Sequence, residues 1–358
     1  MGTIAEFTIK LSRCLDPTGV PVSPVPDFAR DDAQLIALYR AMVLTRTFDA
    51  KAIALQRTGR LGTYASSLGQ EAVAVGLAAA MRPDDVLLPS FREHGAQLWR
   101  GVTLKELFLY WGGDERGNDF AGPREDFPNC VPVGSHAPHA VGVALAFRLR
   151  REKRAAVCVF GDGATSKGDV AEALNMAGTW KVPAVFVVNN NGWAISVPLA
   201  KQTAAATLAQ KAVAAGIPGE QVDGNDVIAV RCAIERALTR ARNGEGPSLV
   251  ESVTYRLADH TTADDASRYR DDAEVSRHWP DEPLVRLRNY LANGGSWDKE
   301  LEEKLLQECA HLVEAAASEY LATLAQPPAS MFDCTFAHTP VDLDLQCRSA
   351  GFADGGPP

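Results

Sequence analysis

The 358-residue chain is 46% hydrophobic and 23% charged, with 29 Gly and 21 Pro at ordinary usage; this excludes a disordered, collagen-like or coiled-coil protein and leaves room for one large α/β domain. Lys and Arg total 36 against 45 Asp and Glu, a net charge of -9 that argues against non-specific binding to nucleic acid or to an anionic membrane surface. No apolar run approaches the roughly 20 residues needed to span a bilayer, and no basic start followed by an apolar run opens the chain, so a cytoplasmic protein is expected.

In chain order, residues 1–30 hold Pro17, Pro21, Pro24 and Pro26 and read as a loose N-terminal arm. Leu35, Leu38, Met42, Leu44 and Phe48 predict a helix over 31–57. The Gly-rich stretch 59–69 precedes a helical run, 70–81, which Pro83 ends before the short strand Val86 to Leu88. Residues 111–129, rich in Gly, Asp, Arg and Pro, read as a long loop of the kind that is often functional. The middle is the most regular part, with helix 141–151, strand 155–160, helix 169–181 and strand 184–188 forming a β-α-β unit. A further unit follows, with Gln221-Val222, the helix 227–243 and the strand 248–253. Continuous apolar strands imply a parallel sheet covered on both faces. The tail 284–324 reads as helical, with Leu301, Leu305, Leu312 and Val313 as its apolar stripe. Seven cysteines (Cys14, Cys130, Cys158, Cys232, Cys309, Cys334, Cys347) never form a C-x-x-C pair, which predicts reduced thiols rather than a disulfide framework or zinc ribbon. His136 and His139 form H-x-x-H, but no further ligand stands at zinc spacing.

The strand 155–160 runs directly into Gly161-Asp162-Gly163-Ala164 and then a helix. Glycines at the carboxyl end of a parallel strand let the backbone approach a ligand, and free N–H groups at the next helix start attract phosphate. Taken alone, Gly-Asp-Gly is ordinary turn chemistry. The next strand ends in Asn189-Asn190-Asn191, so two neighbouring strand ends each present an oxygen ligand. A carboxylate from Asp162, an amide oxygen from Asn191 and a nearby backbone carbonyl suit an octahedral Mg2+ that also takes two diphosphate oxygens.

Gly161-Asp162-Gly163, an interval of 26 residues, then Asn190-Asn191, resembles the thiamine diphosphate fingerprint. More narrowly, 161–169, 187–198 (VVNNNGWAISVP), 208–216 and 259–270 (DHTTADDASRYR) resemble the alpha subunit of the decarboxylating component of bacterial 2-oxo acid dehydrogenases, with the pyruvate dehydrogenase branch most similar. The resemblance implies an α/β fold, a doubly wound, mostly parallel sheet of the thiamine diphosphate-binding fold with helical N-terminal and C-terminal additions. It divides the chain into the arm 1–30, a diphosphate and Mg2+ domain 31–330 and a tail 331–358. By the same resemblance Asp162, Asn191 and the Trp193 carbonyl hold Mg2+, while Gly161, Gly163 and Ala164 meet the diphosphate. Phe91-Arg92-Glu93-His94 is similar to an aromatic-Arg-x-His segment, which makes Phe91 and Arg92 cofactor contacts. Arg256 stands at another diphosphate-contacting position, and Val131 and Val133 fall in the segment that holds the aminopyrimidine. His260, and after it His94, are the implied catalytic residues. Some relatives carry a His where this chain has Ala65.

The implied activity is oxidative decarboxylation of pyruvate and transfer of the acyl group to a lipoyl group on an acyltransferase core. A branched-chain 2-oxo acid dehydrogenase alpha subunit is the near alternative, and a non-catalytic diphosphate-binding protein the remote one. The chain is too short to add the pyrimidine-binding domain that supplies an activating glutamate. That implies a separate beta subunit, an α2β2 assembly and a cofactor held between chains.

Overall fold

The computed structural model describes residues 2–333 and 335–352. Its strands are β1 (Leu11–Ser12), β2 (Val86–Leu88), β3 (Ala156–Gly161), β4 (Ala184–Asn190), β5 (Trp193–Ala194), β6 (Val197–Pro198), β7 (Gly219–Asp223) and β8 (Ser248–Val253). Six form one parallel sheet in the order β1-β7-β8-β4-β3-β2, and β5 and β6 pair as an antiparallel ribbon. Beside β4 the succession of strands reverses, because its neighbour is β8 rather than β7. Crevices at such reversals, beyond the carboxyl ends of the strands, are where doubly wound sheets bind ligands.

β3 and β4 are apolar up to their carboxyl ends because both faces of the sheet are covered, whereas β8 also buries Ser248, Glu251 and Ser252. Alternate side chains separate into two cores: Val157, Val159, Val185, Val187 and Val250 pack with the helices Asp32–Arg57, Glu71–Ala80 and Val227–Arg242. Cys158, Phe160, Phe186, Val188 and Leu249 pack with the helices His136–Arg150 and Gly168–Trp180. Phe186, with no exposed surface, contributes about 1.5–3 kcal/mol by burial alone.

Three expectations are corrected. The N-terminal arm is not loose: Leu11 and Ser12 pair with Gln221 and Val222 of β7. The carboxylate of Asp226 then fastens the arm. Its Oδ1 caps the helix Val227–Arg242 by accepting the N–H groups of Ile228 and Ala229, both at 3.1 Å, while Oδ2 accepts those of Cys14 at 2.7 Å and Leu15 at 2.6 Å. The tail 284–324 is two helices, Pro283–Asn293 and Lys299–Leu321, parted at Gly294-Gly295. The second buries Leu305, Cys309, Val313 and Ala317, a spacing of four, and leaves Leu301 and Leu312 exposed. The long loop carries one 3-10 turn, Glu115–Asn118, and helices that sequence periodicity did not mark cover His94–Arg100 and Leu104–Trp111. The six described cysteines are free thiols, and Cys334 lies outside the described residues. Among the described residues no helix is long and apolar enough to cross a membrane.

Candidate active site

Four parallel strands deliver the site. Arg92 lies just past the end of β2, Asp162 immediately follows β3, Asn191 immediately follows β4, and Arg256 lies just past β8. Because Gly161 of β3 is in register with Asn189 of β4, the ends carrying Asp162 and Asn191 are adjacent. They open onto a cavity of about 220 Å³. Of the expected residues, Phe91, Arg92, Val133, Gly161, Asp162, Gly163, Ala164, Asn191, Trp193 and His260 line it.

The floor is built for close approach. A Cβ on Gly163 would sit 2.7 Å from the Cβ of Ala194, so β5 packs directly on this turn. Asp162 is buried, and Oδ2 accepts from Gln202 Nε2 at 2.5 Å; burial raises its carboxyl above the usual range. The Oδ1 of Asn191 accepts the Trp193 N–H at 3.2 Å. The Trp193 carbonyl accepts from Arg256 Nη1 at a long 3.3 Å. Together these are hard oxygen donors with a single carboxylate. Among the described residues no cluster of three or more His, Cys, Asp or Glu could hold a metal ion.

The wall is cationic. Arg92 is buried, with Nη1 donating to the Ser66 carbonyl at 2.5 Å and Nη2 to the His260 carbonyl at 2.6 Å. Arg256 is buried behind Trp193 rather than in the cavity lining, and its Nη2 donates to the Ile195 carbonyl at 2.8 Å and to the Tyr269 hydroxyl at 3.1 Å. Among the described residues neither guanidinium has a carboxylate oxygen within 4.0 Å. Burial, then the charge of Arg256, pushes Arg92 down to about 10. Buried arginines without counter-charges make an anion site.

His260 lies between them. Its Nδ1 faces Arg92 Nη2 at 2.9 Å and Arg256 Nη1 at 3.4 Å, both donors, so the hydrogen-bond network makes Nδ1 the acceptor and puts the proton on Nε2. Burial, then Arg92 and Arg256, lowers its pKa to about 4, so the ring is neutral at pH 7. The His260 backbone N–H donates to Asp264 Oδ2 at 3.0 Å, and Phe91 meets the ring edge-on at 6.2 Å between centroids.

Two expected residues stand elsewhere. His94 opens the helix His94–Arg100 and has no exposed surface. It is stacked on Tyr64 and accepts from Trp111 Nε1 at 3.0 Å, and burial lowers its pKa to about 3. It is packed in the core, outside the cavity lining. Val131 is exposed and also outside the lining. Ala65 is buried beside Ser66 and Ser67, which hydrogen-bond to Asp49.

The cavity also takes in Gln70, Ser90, Glu93, His136 and Asn189, which sequence reading did not assign to it. Glu93 had a signal, being next to Arg92. His136 Nε2 donates to the Val159 carbonyl at 2.7 Å, whereas His139 is exposed, so the H-x-x-H pair does not converge. Gln70 Nε2, Asn189 Oδ1, His136 Nδ1 and Gln202 Oε1 are buried without hydrogen-bond partners, a set of unmet polar groups that suits a polar ligand.

A family model described as Dehydrogenase E1 component matches residues 39–328. The chain is 42% identical over 313 residues to the 3-methyl-2-oxobutanoate dehydrogenase subunit alpha of Mycobacterium tuberculosis, covering 87% of this chain and 85% of that one. It is 40% identical over 344 residues to the pyruvate dehydrogenase E1 component subunit alpha of Staphylococcus aureus, covering 95% and 92%. With a site formed at parallel strand ends and similarity running nearly end to end, the chain belongs to the dehydrogenase E1 component family.

Proposed function

We propose that this chain is the alpha subunit of the decarboxylating component of a pyruvate dehydrogenase complex, working with thiamine diphosphate and Mg2+. The observation that carries the reading is the meeting, in one cavity lining, of Asp162, Asn191 and the buried Arg92, with Arg256 buried behind the lining residue Trp193 and neither guanidinium paired with a carboxylate. This donor set suits a group that is anionic and bridged by a hard cation. Membership of the E1 family supports the cofactor.

Thiamine diphosphate, when bound, supplies the nucleophilic carbon and the electron sink for loss of carbon dioxide from a 2-oxo acid. The side chains of Asp162 and Asn191 and the carbonyl of Trp193 would hold Mg2+; the Arg256 bond to that carbonyl is long enough to be shared. Backbone at Gly161, Gly163 and Ala164 would cradle the diphosphate, with Arg92 and Arg256 offsetting its charge. His260, neutral and protonated on Nε2, donates into the mouth of the cavity, where substrate and the lipoyl group arrive. Phe91 and Val133 shape the apolar wall, and residues 31–330 form the cofactor domain, between the arm 1–30 and the tail 331–358. The activating glutamate comes from a beta subunit in an α2β2 assembly, and the acyl product passes to the lipoyl domain of the acyltransferase core. The cysteines, none in a pairing motif, fit a reducing compartment, and we place the chain in the cytoplasm.

A second reading, a branched-chain 2-oxo acid dehydrogenase alpha subunit, is favoured by the 42% identity to the mycobacterial relative. The deciding measurement is 2-oxo acid-dependent reduction of an artificial electron acceptor by the chain copurified with its partner, with pyruvate and 3-methyl-2-oxobutanoate compared. Preference for pyruvate is expected. Preference for the branched acid selects the second reading, inactivity with both removes the cofactor assignment, and turnover by the alpha chain alone removes the partner assignment.

A further inference from the structure

The turn before the helix Glu71–Ala80 is fixed from several sides. Gly69 has φ +85, and a Cβ there would lie 2.8 Å from the Tyr255 carbonyl oxygen, so only glycine fits. Its carbonyl accepts from Thr254 Oγ1 at 2.7 Å, and its N–H donates to Glu71 Oε2 at 3.0 Å. Glu71, itself fully buried, accepts from Arg46 Nε at 2.8 Å. The strand end that supplies Asn191 is stitched to the same segment, because Thr254 N–H donates to the Asn190 carbonyl at 2.9 Å and Arg256 N–H to the Asn191 carbonyl at 3.1 Å. Gln70, 1% exposed, is therefore held against Asn191 on a rigid frame.

Gln70 Oε1 accepts from Asn191 Nδ2 at 3.0 Å, while Asn191 Oδ1 accepts from the Trp193 N–H at 3.2 Å. The two bonds oppose each other in sense. Rotating the Asn191 amide by half a turn would set its NH2 against an N–H and its oxygen against an oxygen, losing both. The other end of Gln70, Nε2, is buried at the cavity wall with no partner.

We propose that Gln70 is a positioning residue for the metal and diphosphate site: its Oε1 locks the Asn191 amide so that Oδ1 is the atom presented for coordination, and its Nε2 donates to an anionic oxygen of the bound ligand. This rests on the metal and diphosphate reading above. Partners of this kind, acting on a ligating side chain, typically govern metal affinity by about 10–100-fold.

The test is Mn2+ binding, followed by electron paramagnetic resonance in the presence of thiamine diphosphate, with the alpha chain copurified with its partner subunit. Gln70→Met keeps the side-chain volume and removes acceptor and donor, and is expected to weaken Mn2+ binding about 10-fold. Gln70→Glu restores an acceptor facing Asn191 Nδ2 but no donor to the anionic oxygen, and is expected to recover only part of that loss, a partial rescue that a packing role would not produce. Asn191→Ala is the reference. If Gln70→Met binds Mn2+ as tightly as the parent while Asn191→Ala does not, Gln70 has no positioning role. If Asn191→Ala also binds as the parent does, the metal site reading falls and the proposal with it. Failure of Gln70→Met and Gln70→Leu alike to assemble with the partner makes Gln70 a packing residue and equally overturns the proposal.

Discussion

Replacing Arg92 with Met tests the electrostatics of the cavity in two directions at once. The guanidinium is buried, holds the carbonyls of Ser66 and His260, and faces His260 Nδ1 at 2.9 Å. Without it the cavity lining loses its unpaired arginine and the charge-assisted hydrogen bond it would give a diphosphate, about 1.5–3 kcal/mol. Affinity for thiamine diphosphate with Mg2+ should therefore fall by about 10- to 150-fold, read by calorimetric titration of the copurified complex. Meanwhile His260 is relieved of its nearest cation. Its pKa, about 4 in the parent from burial and then the charges of Arg92 and Arg256, with Asp264 acting the other way, should rise toward the ordinary 6.5, read by NMR of the ring. The sign for stability follows. A base with a depressed folded-state pKa contributes stability that is complete above about 6.5 and is lost as pH falls toward about 4. Arg92→Met should flatten that acid limb while weakening the cofactor. A variant that binds cofactor like the parent, or whose His260 still titrates near 4, would refute the argument.

Gly163→Ala should weaken cofactor binding without unfolding the sheet, because the new Cβ, 2.7 Å from Ala194 Cβ, must push the β5-β6 ribbon and with it the Trp193 carbonyl. Overpacking of this kind costs about 1–3 kcal/mol, and unchanged thiamine diphosphate affinity would show that the turn has slack. Asp226→Ala removes a helix cap, worth about 1 kcal/mol, and orphans the N–H groups of Cys14 and Leu15. A loss of about 3 kcal/mol in denaturant unfolding is expected, with faster proteolysis near residue 13; a loss under about 1 kcal/mol would mean the arm is held by other contacts.

Much of this architecture is legible in the amino-acid order because its signals are local. The runs that become β3 and β4 are apolar up to their carboxyl ends since two cores need their alternate side chains, and the fingerprint residues stand at or just past those ends. What escaped depends on distant partners. The two residues of β1 pair with Gln221 and Val222, some two hundred positions away, and proline-rich surroundings disguise them. His94 sits in a pattern suggestive of chemistry, yet the helix that starts there turns its ring onto Tyr64 and Trp111. Leu301 and Leu312 look like core residues, but the helix Lys299–Leu321 selects Cys309 and Ala317 instead, which hydropathy weights less than leucine. Gln70 carries no local signal, because its unmet amide group and its grip on Asn191 exist only after the turn before its helix meets β4 and the segment beyond β8.

The strand lengths across the sheet have a consequence for association. Interior strands run five to seven residues, whereas the outermost, β1 and β2, have two and three. A two- or three-residue border gives an incoming chain too short a ladder to zip onto. Lateral sheet extension, the common route to unwanted fibrous growth, is thereby discouraged on both flanks. Any subunit that joins this one is directed instead to the loops at the strand ends or to the outer helices.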